Sequence, residues 1–423
     1  MQAVQKEKVS ALKQLGPGLI TGAADDDPSG IATYSQAGSQ FGFDLLWTVV
    51  LTYPLMVGIQ IVSARIGRVT GKGLSANMRK IFPAWLCLGI IVLLVIANTI
   101  NIAADIAAMG ASLKLVVGGR AHLYSLGFGL VSLLLQVFIP YQRYVRVLKW
   151  LTLSLLAYVA VVFMVHIHWS QVLLHTVMPH ITFNAAYATV VVAVFGTTIS
   201  PYLFFWQASQ EVEEMRAHHD AKPLTQSTSL KNAGLALRRI KVDTYFGMAF
   251  SNLVAFFIIL STAVTLHAAG ITTIATAAQA AEALRPVAGE ATFLLFSLGI
   301  IGTGLLAVPV LAGSCAYAVA EYFDWAHGLN RKALQARGFY IIISITTLLG
   351  VLLDFTPVDP VKALFWSAVI NGVIAIPIMA IMMLMAVRTD IMGEFTIKRK
   401  LQVLGWVATA LMLVTVIVML AYW

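Results

Sequence analysis

Two short stretches of this chain combine residue types that could hold a cation. One reads Asp25-Asp26-Asp27-Pro28-Ser29-Gly30, the other Gly196-Thr197-Thr198-Ile199-Ser200-Pro201-Tyr202. Each lies near the middle of a long apolar run, and in each a polar residue directly precedes a proline with glycine close by. An ionised aspartate at the centre of a bilayer costs at least about 2.5–3.5 kcal/mol on a lenient insertion scale, so Asp27 requires a compensating partner. No lysine or arginine lies in the interior of an apolar run, which leaves a proton, water or a bound cation. Proline removes a backbone donor and clashes with the preceding turn, so both helices are expected to open there. The carbonyls freed at the end of the first half-helix carry partial negative charge. A carboxylate, those carbonyls and the hydroxyl of Ser200 or Thr197 make an oxygen site for a hard cation. The alternative is a protonated Asp27 that caps the second half-helix. Three adjacent acids cannot all face one point on a helix. Asp25 and Asp26 therefore read as vestibule acids that attract cations, or as partners of the opened backbone.

The elements that position these residues are read from hydropathy. Of 423 residues, 59% are hydrophobic and 11% charged, against about 25% charged in a soluble chain. The mean hydropathy is +0.84. Eleven apolar runs approach the roughly 20 residues a span requires: 16–38, 44–64, 83–109, 122–140, 147–167, 186–211, 243–266, 291–320, 338–354, 361–387 and 402–422. With the N-terminus inside, all but four of the 28 lysines and arginines fall in inside loops, the exceptions being Lys114, Arg120, Arg285 and Lys362. Cytoplasmic loops are enriched in these residues, so the expected topology is N-terminus cytoplasmic and C-terminus outside. The net charge of +9 follows from that bias and implies no nucleic acid. An odd number of spans separates the two interrupted helices, so the second unit is inverted, and paired interruptions of this kind point to a transporter site. The expectation is an all-α membrane protein whose residues 1–423 form a single transmembrane transporter domain. Its two inverted five-helix repeats cover approximately 15–167 and 186–387, with an extra helix at 402–422. Helices one and six are discontinuous.

Several stretches also resemble the natural resistance-associated macrophage protein (NRAMP) family of divalent metal transporters. They include Gly16-Pro17-Gly18, Asp27-Pro28, Gln36-Ala37-Gly38, Leu46-Trp47, Ala64-Arg65, Val69-Thr70-Gly71-Lys72, Ser200-Pro201-Tyr202 and Ala316-Tyr317-Ala318-Val319-Ala320-Glu321. The resemblance covers nearly the whole chain. It implies a LeuT-like (APC-type) fold with metal held between helices one and six. Two departures bear on the substrate. The family's first-helix motif is Asp-Pro-Gly-Asn, and the asparagine position is Gly30 here. Its sixth-helix motif is Met-Pro-His, which here reads Ser200-Pro201-Tyr202. A thioether favours transition metals, whereas hydroxyl, carbonyl and water favour hard ions. Mg²⁺ dehydrates reluctantly, and a wider oxygen-only site suits it, as in the NRAMP-related magnesium transporter branch. The expected metal contacts remain Asp27, Thr197 and Ser200, directly or through water, with Pro28, Gly30, Pro201, Tyr202, Asn371 and Asp105 lining the site, the last two by the resemblance. Tyr202 replaces the family histidine implicated in proton movement, and Asn98 and Ala108 stand at acid positions of helix three, so coupling to protons is not expected. Asp105 reads alternatively as a packing acid, and Asn371 as an interhelical hydrogen-bonding amide.

The expected function is import of divalent cations by alternating access, Mg²⁺ first and Mn²⁺ second, driven by the membrane potential. Two rivals are a proton-coupled Mn²⁺/Fe²⁺ importer with an atypical site and a cation-coupled symporter for organic solutes on the same fold. The chain is not expected to be an enzyme, since no HExxH trio or nucleophile triad is present. No cofactor, nucleotide, nucleic acid or protein partner is implied; the metal is substrate and the bilayer is the surrounding. Cys87 and Cys315 lie in apolar runs and read as buried hydrophobes. The polar first residues carry no cleavable signal pattern, and the short loops suit a bacterial inner membrane. Two histidine groups, His166/His168/His175/His180 and His218-His219 beside Asp220, read as solvated loop residues.

Overall fold

The computed structural model describes residues 17–423, apart from 142, 144–147, 149, 218–221 and 227–229. His218-His219-Asp220 lies outside the described residues, as do the loop cations Lys6, Lys8, Lys13, Arg146 and Lys149. Among the described residues the secondary structure is helical, with no strand. Among the described residues eight helices are long and apolar enough to cross a membrane. Of the three other expected spans, the first is divided and the ninth, Arg337–Leu353, is 17 residues long. The fifth is shorter than expected. Its helix ends at Met164, and the chain bends by 119° into Trp169–Val177. His166 and His168 stand at that bend, where the chain turns polar.

The helices that build the site are α1 (Pro17–Asp25), α2 (Pro28–Phe41), α3 (Leu46–Thr70), α4 (Ala84–Val117), α5 (Ala185–Thr198), α6 (Pro201–Ala217), α7 (Leu230–Thr262), α8 (Thr292–Tyr322) and α9 (Pro360–Ala386). Helix one is broken at Asp26-Asp27, between α1 and α2, and helix six at Ile199-Ser200, between α5 and α6. Pro28 and Pro201 open the second halves, where the missing N–H would have had no intrahelical partner in any case.

Small residues let these helices approach closely, as is common where packing rather than water drives association. A Cβ at Gly22 of α1 would lie 2.2 Å from the Gly247 carbonyl oxygen of α7. At Gly196 of α5 it would lie 2.1 Å from the Ala368 oxygen of α9, and at Gly67 of α3 2.2 Å from the Ala208 oxygen of α6. The half-helices are thus held backbone to backbone. Gln60 Nε2 donates to the Leu203 carbonyl at 2.9 Å and Ser63 Oγ to the Phe204 carbonyl at 2.5 Å, tying α6 to α3. Gly18 N donates to Asp243 Oδ2 at 2.7 Å, tying the start of α1 to α7.

Candidate functional site

Asp27 lies at the break in helix one with an extended backbone (φ −74°, ψ 170°), the conformation of a helix N-cap. Its Oδ1 accepts from Gly30 N and from Ser29 Oγ, both at 2.7 Å. The capping arrangement considered from sequence is therefore present, and it occupies one carboxylate oxygen. The other, Oδ2, faces across the bundle. It accepts from Asn101 Nδ2 of α4 at 3.1 Å and lies 3.4 Å from the Tyr202 hydroxyl of α6. That hydroxyl is equally 3.4 Å from the Ala24 carbonyl, which the break leaves free. Helices one, three and six meet at this carboxylate.

Helix six supplies the hydroxyls. Ser200 Oγ donates to the carbonyls of Thr197 (2.7 Å) and Gly196 (3.1 Å), so its single proton serves the opened turn. Thr197 is closer to helix one. Its Oγ1 would lie 3.2 Å from a Cβ built on Gly30, and the Asp25 carbonyl oxygen 3.5 Å from it. Gly30 does not open onto a void here; its missing side chain lets α5 approach the break. The first-helix tyrosine Tyr34 reaches Thr198 Oγ1 at 3.2 Å.

Asp25 and Asp26, read from sequence as vestibule acids, are 1% and 2% exposed. They turn toward α7, where Ser251 Oγ lies 2.6 Å from Asp25 Oδ2 and 3.0 Å from Asp26 Oδ1. They meet a helix rather than an open mouth. Asp105 of α4 is buried with Asp27 and the Ser29 amide as electrostatic neighbours, and neither of its oxygens makes a hydrogen bond of normal geometry. Asn371 of α9 is also buried, and among the described residues neither atom of its amide has a hydrogen-bond partner. It adjoins Gly372, which packs on Gly196.

Three contributors were missed from sequence. Asn101 binds Asp27. Ser367 of α9 lies 2.8 Å from Asn101 Oδ1. Ser251 joins Asp25 and Asp26. An amide inside an apolar span was a usable signal for Asn101, whereas the two serines carry no such mark. Among the described residues no three His, Cys, Asp or Glu side chains are arranged to hold a metal. A cation at Asp27 would find hydroxyl, amide and freed carbonyl oxygens to complete its shell, with the Asp105 carboxylate close by.

A family model described as natural resistance-associated macrophage protein-like matches residues 18–422. A divalent metal cation transporter MntH from Acidiphilium cryptum is 27% identical over 396 residues, covering 90% of this chain and 84% of that protein. The manganese transporter of Eremococcus coleocola superposes with a TM-score of 0.75 at 15% identity, covering 97% of this chain and 87% of that one. Mhp1, a nucleobase-cation-symport-1 family transporter, superposes with a TM-score of 0.59 at 13% identity over 97% of this chain and 92% of its own. These two structures share the fold, the discontinuous-helix plan expected from sequence.

Proposed function

The chain belongs to the natural resistance-associated macrophage protein-like family, and on that premise we propose that it imports divalent metal cations by alternating access, Mg²⁺ foremost with Mn²⁺ as a second substrate. A multi-pass membrane protein carrying a divalent cation is the reading common to the family and its relatives. The ion preference is the further step, and one observation carries it. Around Asp27 the side chains in reach are Ser29, Asn101 and Tyr202, with Asp105 nearby on helix three and Thr197 and Ser200 on the facing break. All offer oxygen or nitrogen, and none offers sulfur. Without a thioether the site has no soft ligand to favour a transition metal over Mg²⁺.

The proposed metal contacts are Asp27 with Thr197 and Ser200, directly or through water. Pro28, Gly30, Pro201, Tyr202, Asn371 and Asp105 line the site. A bacterial inner membrane, with the N-terminus inside and the C-terminus outside, fits the lysine and arginine distribution.

The relatives speak for a second reading. One solved structure is of a manganese transporter, so a proton-coupled Mn²⁺/Fe²⁺ importer with an atypical site is the rival. Competition separates the two. In proteoliposomes, millimolar Mg²⁺ suppresses Mn²⁺ uptake under the first reading and leaves it intact under the second.

A further inference from the structure

Asn101 stands between two partners, and the hydrogen-bond choice of one of them sets which end of its amide faces the other. Its Nδ2 donates to Asp27 Oδ2 at 3.1 Å, and its Oδ1 lies 2.8 Å from Ser367 Oγ. The same Ser367 hydroxyl lies 2.7 Å from the Leu364 carbonyl oxygen one turn back on α9. A serine hydroxyl has one proton and two acceptor lone pairs. If that proton goes to Asn101, the amide N–H faces Asp27. If it goes to Leu364, Ser367 Oγ becomes an acceptor. The amide can then turn over, donating its N–H to Ser367 and presenting Oδ1 to Asp27. Every polar group involved is buried; the observed orientation satisfies both ends of the amide, and the turned one does so only with a cation between Oδ1 and the carboxylate. A carbonyl oxygen facing a carboxylate is repulsive unless a cation lies between them.

We propose that Asn101 is a switchable ligand of the transported cation: its amide turns over when a divalent ion binds at Asp27, so that Oδ1 joins the carboxylate in the ion's oxygen shell and Ser367 takes the released N–H. The inference rests on Asp27 being the cation site. The Asn101–Asp27 separation of 3.1 Å is short enough for the two side chains to be neighbouring ligands of one cation, since adjacent oxygens on a metal with bonds of 2.0–2.1 Å lie about 2.8–3.0 Å apart. Helix three thereby supplies an oxygen side chain where Gly30 has none, and Ser367 reports loading to α9.

Mn²⁺ binding to the purified full chain tests this, with Asn101→Asp set against Asn101→Leu. A ligand role predicts that the aspartate variant, which keeps an oxygen in place, binds at least tenfold more tightly than the leucine variant. A role as N–H donor only leaves aspartate no advantage beyond its charge, because aspartate loses that bond as leucine does; a gap below tenfold overturns the inference, and a gap that comes from charge alone leaves the unmodified chain without a coupling between an asparagine carbon and bound Mn²⁺. If the leucine variant fails to fold, Asn101→Ala replaces it. The unmodified chain gives a second readout that added charge cannot mimic. With ¹³C-labelled asparagine and bound Mn²⁺, electron–nuclear double resonance should show a carbon about 3 Å from the ion, a distance set by an oxygen-bonded amide, and should lose it in the Asn101 variants. Absence of that coupling in the unmodified chain also overturns the inference. Asp27→Ala is the separate control: unchanged binding there removes the site reading itself.

Discussion

At Asp27 one carboxylate does two jobs that separate substitutions can distinguish. Oδ1 caps α2 while Oδ2 faces Asn101 and Tyr202. Asp27→Asn keeps an oxygen for the Gly30 amide, so the fold should persist while uptake of Mg²⁺ and Mn²⁺ falls at least about a hundredfold with the charge. Asp27→Ala loses the cap as well, and loss of a cap costs about 1 kcal/mol. Thermal unfolding should therefore place the alanine variant below the asparagine variant, with both inactive in uptake. Tyr202→Phe removes a hydroxyl whose proton is shared between Asp27 Oδ2 and the Ala24 carbonyl. A hydrogen bond contributes about 1 kcal/mol net, so its loss should raise the uptake KM roughly fivefold with little change in kcat. Equal KM values would place that hydroxyl outside the site. Restoring a thioether and an amide together, as Gly30→Asn with Ser200→Met, should shift preference toward Mn²⁺ and reduce inhibition by Mg²⁺ tenfold or more. The asparagine enters a tight place, since its Cβ meets Thr197 Oγ1 at 3.2 Å.

The half-helices depend on backbone contact that tolerates no added carbon. Gly22→Ala puts a Cβ 2.2 Å from the Gly247 carbonyl oxygen, and that neighbour is backbone, which cannot step aside alone. We expect α1 to be displaced from α7, with a lowered unfolding temperature in detergent and impaired uptake; an alanine variant as stable and active as the native chain would show that this contact is not required. At this scale the sequence was informative wherever the signal was local. A proline after an aspartate or serine within an apolar run marked both breaks to within a residue or two. The fifth span was less legible, because hydropathy did not register the 119° bend after Met164. The directions taken by Asp25 and Asp26 depend on Ser251, which lies more than two hundred residues along the chain. Asn101 likewise gains its role only from the packing of α4 against α2 and α9. Local pattern placed the carboxylate, and tertiary contact chose its neighbours.

For the whole molecule, the proposal concerns what drives the cation. A divalent ion moving inward gains about 2.3 kcal/mol per charge per 100 mV, enough for concentrative uptake without protons. Tyr202, Asn98 and Ala108 occupy the positions where the family resemblance leads one to expect proton carriers. In this structure Tyr202 reaches Asp27, while Asn98 Nδ2 donates to the Leu311 carbonyl of α8 at 3.0 Å. Uptake should therefore rise when a potassium diffusion potential makes the liposome interior negative, and a pH dye inside should stay flat; acidification that tracks metal entry would contradict uncoupled transport. The most direct test of the central claim is Mn²⁺ uptake into proteoliposomes in competition with Mg²⁺ and Ca²⁺, with Asp27→Ala alongside. The account predicts suppression by millimolar Mg²⁺, indifference to Ca²⁺ and no uptake by the variant. Mn²⁺ uptake that millimolar Mg²⁺ leaves unchanged would contradict it.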